Sequence, residues 1–389
     1  MAPILISIVI VCVVLLLFSR PRRRDGLAPE GGSRLKNLAA ILMVRAGNRR
    51  RPPWQSAAPA DRRVPVPDGV ERSQYNDSFV FQGSDAAGNT LLTRLGFRGG
   101  GTEAELWFWG AFDGGRAAND TRLVSLESDA DPEVIAAGGL SYAKSGAGEW
   151  RIGYRGSLDG VDSEVDLTWT ADAAMYCSAE HMDPVGTAKA MAEMPWSRDY
   201  FARISSEKQV RIEQGGRLTG TVRRGDDSWT VDMRGIRDHS WGKRDWSFLN
   251  RYLWTVLALE EPLEIAGLKV TYLAVSPVDY GDSFKRIASG WVAGPSGVLP
   301  VSFATDLMEI GGDGTIPQLF TLRFRVPGSE VLTLEVDRRQ PEMPWLVQNG
   351  AFEVNEAWCG IRLNGVPGYG LSEFGYAAGR GYRRPFDED

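Results

Sequence analysis

The sequence predicts a mainly β protein with two antiparallel barrel or sandwich domains, preceded by a transmembrane helix. Three observations carry this. From about residue 72 onward, short runs alternate apolar and polar residues, the period-two signature of half-buried strands. Glycine (45) and proline (21) are abundant, as a turn-rich all-β chain requires. The first residues, by contrast, are almost continuously apolar. A chain of 389 residues, 43% hydrophobic and 24% charged, can bury one large core or two ordinary ones.

Taken in order, Ala2–Phe18 is apolar except for Ser7 and the imperfect member Pro3. At 1.5 Å per residue it spans roughly 26 Å, enough for a thin bilayer. Arg20, Arg22, Arg23 and Arg24 follow it and no cation precedes it, so the positive-inside rule puts the following chain in the cytosol, with the endoplasmic reticulum as the expected membrane. The run lacks the basic start and small-x-small site of a cleaved signal peptide. Residues 1–24 are therefore read as anchor and stop, and residues 25–71 continue a basic neck. Segment 19–63 holds 12 of the 44 Lys and Arg against three of the 50 acids, leaving the rest of the chain at a net charge of −15. An acidic body on a basic tether argues against nucleic acid and for anionic lipid as a partner. Leu35–Val44 (Leu35, Leu38, Ala39, Ile41, Leu42) reads either as an interfacial segment or as a helix packed on the body.

In the body, Ala104, Leu106 and Phe108 alternate with Glu103, Glu105, Trp107 and Trp109. Val165, Leu167 and Trp169 oppose Glu164, Asp166 and Thr168. Phe320, Leu322, Phe324 and Val326 oppose Thr321, Arg323 and Arg325. Trp107 and Trp109 on a polar face suggest the aromatic inner wall of a ligand-holding barrel. Ala171–Arg203 is rich in Ala and Met and is punctuated by Pro184 and Pro195, so it reads as a helical connector. The expected division is a first barrel over 72–203 and a second over 204–389.

Arg237-Asp-His-Ser-Trp-Gly-Lys-Arg-Asp-Trp246 concentrates the chemistry. On an extended backbone Arg237, His239 and Trp241 share one face, while Asp238 and Ser240 take the other. A group titrating near neutrality beside an indole suits proton transfer in an apolar pocket. It equally suits a buried structural histidine with Trp241 plugging a barrel end.

This tract resembles the RDHSWG signature of the hydroxyneurosporene synthase (carotenoid hydratase)/AttH-like superfamily. Glu213-Gln-Gly-Gly-Arg-Leu-Thr-Gly220, Arg251-Tyr-Leu-Trp254 and Gly370-Leu-Ser-Glu-Phe-Gly375 are similar to the segments around it, and Trp150–Gly156 resembles a first barrel of the same kind. The resemblance spans roughly residues 75–380. It implies two lipocalin-like (calycin) barrels, a hydrophobic ligand of isoprenoid, sterol or other lipid type, and cofactor-free hydration, cyclisation or isomerisation, with a carrier or interaction module as the alternative. His239 is then the expected acid/base, with Asp238 or Glu373 as its partner or alternative acid. Trp241, Trp246, Tyr252 and Trp254, with Trp107 and Trp109, are the expected ligand wall. Neither Tyr252-Leu-Trp254 nor Tyr272-Leu-Ala274 matches the Tyr-x-Asp element of the hydratases, because neither holds an acid. Burial of Glu373 in a cavity should raise its pKa.

Other classes fall away. The sequence has no P-loop, dinucleotide fingerprint, nucleophile elbow or C-x-x-C pair. Two histidines and three scattered cysteines (Cys12, Cys177, Cys359) make no metal site, so neither metal nor cofactor is expected.

Overall fold

The computed structural model describes residues 33–49, 62–71, 74–98, 103–126, 134–206, 209–244, 249–281, 283–311, 316–347 and 352–377. Ala2–Phe18, Asp245 and Trp246 lie outside them. Among the described residues no helix is long and apolar enough to cross a membrane.

Two antiparallel sheets account for most of the described chain. The first contains β1 (Tyr75–Ser84), β2 (Thr90–Arg98), β3 (Glu103–Phe112), β4 (Arg116–Ser125), β5 (Val134–Ala137), β6 (Leu140–Gly146), β7 (Glu149–Leu158), β8 (Val161–Ala171), β9 (Tyr176–Cys177), β10 (Gln209–Arg224) and β11 (Asp227–Lys243). Its strand order is β4-β3-β2-β1-β11-β10-β8-β7-β6-β5, with the short β9 also on β10. The second contains β12 (Arg251–Ile265), β13 (Leu268–Asp279), β14 (Ile287–Gly294), β15 (Gly297–Pro300), β16 (Phe303–Ala304), β17 (Leu319–Arg325), β18 (Leu332–Val347), β19 (Phe352–Leu363) and β20 (Val366–Ala377). Its order is β15-β14-β13-β12-β20-β19-β18-β17-β16.

Both sheets curl toward closure. In the first, the Tyr154 hydroxyl of β7 donates to Asp120 Oδ2 of β4 at 2.8 Å, and the Asp159 N–H donates to the Asn119 carbonyl at 2.9 Å. In the second, the Val301 N–H reaches the Gly290 carbonyl and the Ser302 N–H reaches that of Arg325, so one short segment bridges β14 and β17. Tight curvature needs close backbones. Gly83, Gly235 and Gly216 stand side by side across β1, β11 and β10. A Cβ on Gly235 would lie 1.9 Å from the Gln82 carbonyl oxygen. Gly235→Ala is therefore expected to cost about 1–3 kcal/mol through overpacking. A denaturation midpoint equal to that of the parent protein would show that the row is not under this constraint.

Among the described residues, alternation sorts most buried strand side chains into three large cores. Phe81, Phe108, Tyr142, Trp150, Tyr154 and Trp169 fill the first barrel, and Leu253, Leu257, Leu322, Phe324 and Leu334 fill the second. The third core lies between the barrels and includes Val80, Trp107, Trp109, Ile236, Trp254, Tyr272, Trp291 and Val354. Trp107 and Trp109 are thus on the outer face of the first barrel, where it packs on the second, and not on an inner wall. The Glu/Trp alternation was correctly periodic, but a covered outer face looks the same in sequence as a ligand-lined inner one.

The strand pairing also moves the division between the sheets. β10 and β11 complete the first sheet, so the division falls between Lys243 and Arg251 and not near residue 203. The helical segment is an excursion between β8 and β10, which pair directly from Ala171↔Gly216 onward. It contains α2 (Pro184–Glu193), capped by Asp183 through the Gly186 N–H, and α3 (Arg198–Ser206). An earlier helix, α1 (Arg34–Arg49), packs on α2 through Ala40, Ala188 and Met191. His181 is half-buried, and its Nδ1 accepts the Cys177 N–H at 2.8 Å. Cys177 and Cys359 are buried and free.

Candidate active site

The register of the two sheets builds a polar cavity where the barrels meet. Trp107, Arg94, Val80, Asp238 and Glu213 form one row across β3, β2, β1, β11 and β10. Trp254, Glu373 and Glu356 form a second row across β12, β20 and β19. The rows face each other around a cavity of about 50 Å³ that Ser78, Arg211, Arg244 and Tyr252 also line. At about 10–15 Å³ per water, it has room for a few water molecules.

The carboxyls dominate its chemistry. Glu356 is 1% exposed, and its carboxyl hydrogen-bonds that of Glu373. Burial, the neighbouring Glu373 charge and that hydrogen bond hold the Glu356 pKa well above the usual carboxylate range. Burial also raises Glu373, against the hydrogen bond from Tyr252 and the charge of Arg211. The Tyr252 hydroxyl donates to Glu373 Oε1. Two adjacent buried carboxyls share a proton rather than ionise together. The pair can therefore both give and take one.

The cationic side is already ion-paired. Arg94 Nη1 is 2.9 Å from Glu105, its Nε donates to Ser78 Oγ, and its guanidinium lies 4.2 Å from the Trp107 ring centroid. Arg211 Nε is 3.2 Å from Asp238 Oδ1, and its guanidinium lies 5.0 Å from the Trp254 ring. Burial raises Asp238, opposed by Arg211 and Arg244. Burial pushes Glu213 up to about 7, although it accepts the Trp254 indole N–H at 2.9 Å and that of Trp291 at 2.6 Å.

The expected site residues divide by face. Asp238 and Ser240 face the cavity, as the alternation of β11 requires. Arg237, His239 and Trp241 face the other way. Arg237 lies over the Trp150 and Trp169 rings inside the first barrel, 5.6 Å from each. His239 is 2% exposed, stacks on Phe79 with centroids 3.9 Å apart, and has Nε2 2.9 Å from Asp77 Oδ1. Trp241 packs beside Cys177 and Ile212. The geometry thus places the expected acid/base His239 and wall residue Trp241 away from the cavity, because one strand cannot turn adjacent positions to the same side. His239→Gln is expected to cost about 1–3 kcal/mol for the disturbed buried bond, and to leave the titration of the Glu356–Glu373 pair unchanged. A shift in that titration without loss of stability would return His239 to the site.

Glu373, Tyr252, Trp254 and Trp107 do line the cavity, whereas Trp109 is buried beside it and Trp246 lies outside the described residues. Tyr252 meets an acid across the sheet, Glu373 on β20. Glu356, Arg94 and Arg211 were not singled out in the sequence. Glu356 had a readable signal, an acid on the face of β19 that otherwise carries Phe352, Val354 and Trp358.

A family model described as "Domain of unknown function (DUF7064)" matches residues 64–377. No curated protein matches the chain. Among solved structures, a protein assigned as AttH from Nitrosomonas europaea is similar at 12% identity and a TM-score of 0.51, covering 80% of this chain and 98% of that one. Kievitone hydratase from Nectria haematococca matches at 10% identity and 0.46, covering 81% and 94%. CghA with Sch210972 matches at 11% and 0.47, covering 82% and 96%. The resemblance read from the Arg237–Gly242 tract therefore holds as a likeness of fold.

Proposed function

We propose, for a chain that belongs to the DUF7064 family, that the cavity between the barrels is the active site of a cofactor-free acid–base enzyme. Its substrate is the unsaturated end of a hydrophobic molecule, isoprenoid or sterol-like in class, and its reaction is hydration, cyclisation or isomerisation. The observation that carries this is the hydrogen-bonded Glu356–Glu373 pair facing a cavity walled by Trp107, Tyr252 and Trp254.

Glu356, holding the proton, protonates a carbon–carbon double bond at one end. The indole and phenol faces stabilise the cation that develops, by about 0.5–2 kcal/mol each. In hydration, a cavity water adds to the cation and gives its spare proton to Glu373. In isomerisation, Glu373 instead takes a proton from the adjacent carbon. The hydrogen bond between the two carboxyls then returns the proton to Glu356, and the site is reset. Only the reacting end of the ligand fits the cavity at its present size. A lipid carrier calls for a uniformly apolar cavity, and the carboxyls and guanidiniums of this one argue against that alternative.

The test is solvent exchange. The full chain is incubated with an apolar cell extract in deuterium oxide, and lipids are compared by mass spectrometry with and without protein. A species that gains deuterium only with the parent protein is expected. Labelling that persists in the Glu356→Gln, Glu373→Gln double variant would remove the assignment.

Ala2–Phe18 and the basic neck are proposed to tether the body to the cytosolic face of the endoplasmic reticulum. Digestion of the body by protease added to intact microsomes is expected, and full protection without detergent would reverse the orientation. Asn76, one of two glycosylation sequons, is 2% exposed and its Nδ2 donates to the Ser240 carbonyl, so it offers no folded acceptor.

A further inference from the structure

Among the described residues, six large hydrophobic side chains are exposed, and four of them lie on α1: Leu35 (41%), Leu38 (50%), Leu42 (61%) and Met43 (40%). Their spacing of three, four and one places them on one stripe of the helix. The opposite stripe holds Asn37 and Ala40, both buried, with Ile41 and Val44 packed on the same core. The helix cannot roll to hide its leucines. Lys36 donates from Nζ to the Met194 carbonyl and lies 5.1 Å from the Trp196 ring centroid, and Ala40 is wedged against α2 with no exposed surface.

We infer that the outward stripe of α1 is seated in the headgroup layer of an anionic membrane, as a second contact that fixes how the body sits on the bilayer. Two features select lipid over a protein partner. The helix has no acidic residue and, besides the body-bound Lys36, carries Arg34, Arg45 and Arg49, the charge pattern of a helix lying on anionic lipid. In sequence, Arg34 follows the apolar run ending at Phe18 by only 16 residues, so a chain anchored there keeps α1 close to the surface. This step rests on the proposed tether, but the stripe is a separate observation.

The test uses the full chain with Cys12→Ser, a single added Leu42→Cys carrying an environment-sensitive fluorophore, and a matched Leu319→Cys protein. Leu319 is 70% exposed on the second barrel and serves as the water-facing reference. Each protein is reconstituted into vesicles of brominated phosphatidylcholine and phosphatidylserine. Several-fold stronger bromine quenching at position 42 than at 319 is expected. Carbonate extraction reads the tether independently. A protein that resists carbonate but shows equal quenching at both positions overturns the seating and spares the tether. Removal by carbonate with position 42 still quenched supports the seating and removes the tether. Equal quenching in a protein that carbonate also removes overturns both.

Discussion

Glu373→Gln is expected to lower solvent-deuterium incorporation by about 10²–10⁴-fold, the usual loss when a general acid or base is removed. Gln matches Glu in size and still accepts the Tyr252 hydroxyl, so the cavity keeps its shape while losing the group that receives the proton. The same change should stabilise the protein at neutral and alkaline pH. Glu356, Glu373 and Glu213 all have folded pKa values raised chiefly by burial, that of Glu213 to about 7. Between the ordinary carboxylate range and those raised values the folded state holds protons that the unfolded chain has released. Their contribution is therefore full below that range and is lost as pH rises through it. The parent midpoint should fall from acid toward neutral pH, and Glu373→Gln should flatten the fall. A Glu373→Gln variant with full exchange activity, or one with an unchanged pH slope, contradicts the account.

Trp291→Ala is expected to cost about 3–5 kcal/mol, the range for truncating a buried Trp. Trp291 has no exposed surface, lies in the core between the barrels and donates its indole N–H to Glu213. Its loss opens a void at the junction and takes one of two indole donors from a buried carboxyl. The measurement is denaturant unfolding of the parent and Trp291→Ala proteins, with Trp291→Phe as a control that keeps most of the ring volume but not the donor. If Ala and Phe cost the same, the void is not the cause. If neither costs anything, the barrels do not share a core.

Period two was legible in the sequence wherever one face of a strand was apolar. Leu106 and Phe108, Val165 to Trp169, and Leu322 to Val326 all point into barrels as their alternation requires. The faces of β11 were equally legible, since Asp238 and Ser240 oppose Arg237, His239 and Trp241. What alternation cannot state is which face meets a cavity. That depends on a second sheet whose rows come from residues more than a hundred positions away, such as Asp238 and Glu356. The same limit hid the partner of Tyr252, which is adjacent across β12 and β20 but 121 positions distant in the chain. The helical break at Ala171–Arg203 was also visible. It does not divide the barrels, because the return of β10 to β8 is a pairing that composition does not encode.

The shared proton is the central claim, and it can be measured without knowing the substrate. Infrared spectra of the full chain at neutral pH should contain the carbonyl band of a protonated carboxylic acid that is absent from the Glu356→Gln, Glu373→Gln double variant. A band that persists well above about pH 5, where isolated glutamates are ionised, is the predicted result. Loss of both carboxyl protons together near pH 4–5, roughly as for solvated glutamates, would contradict it.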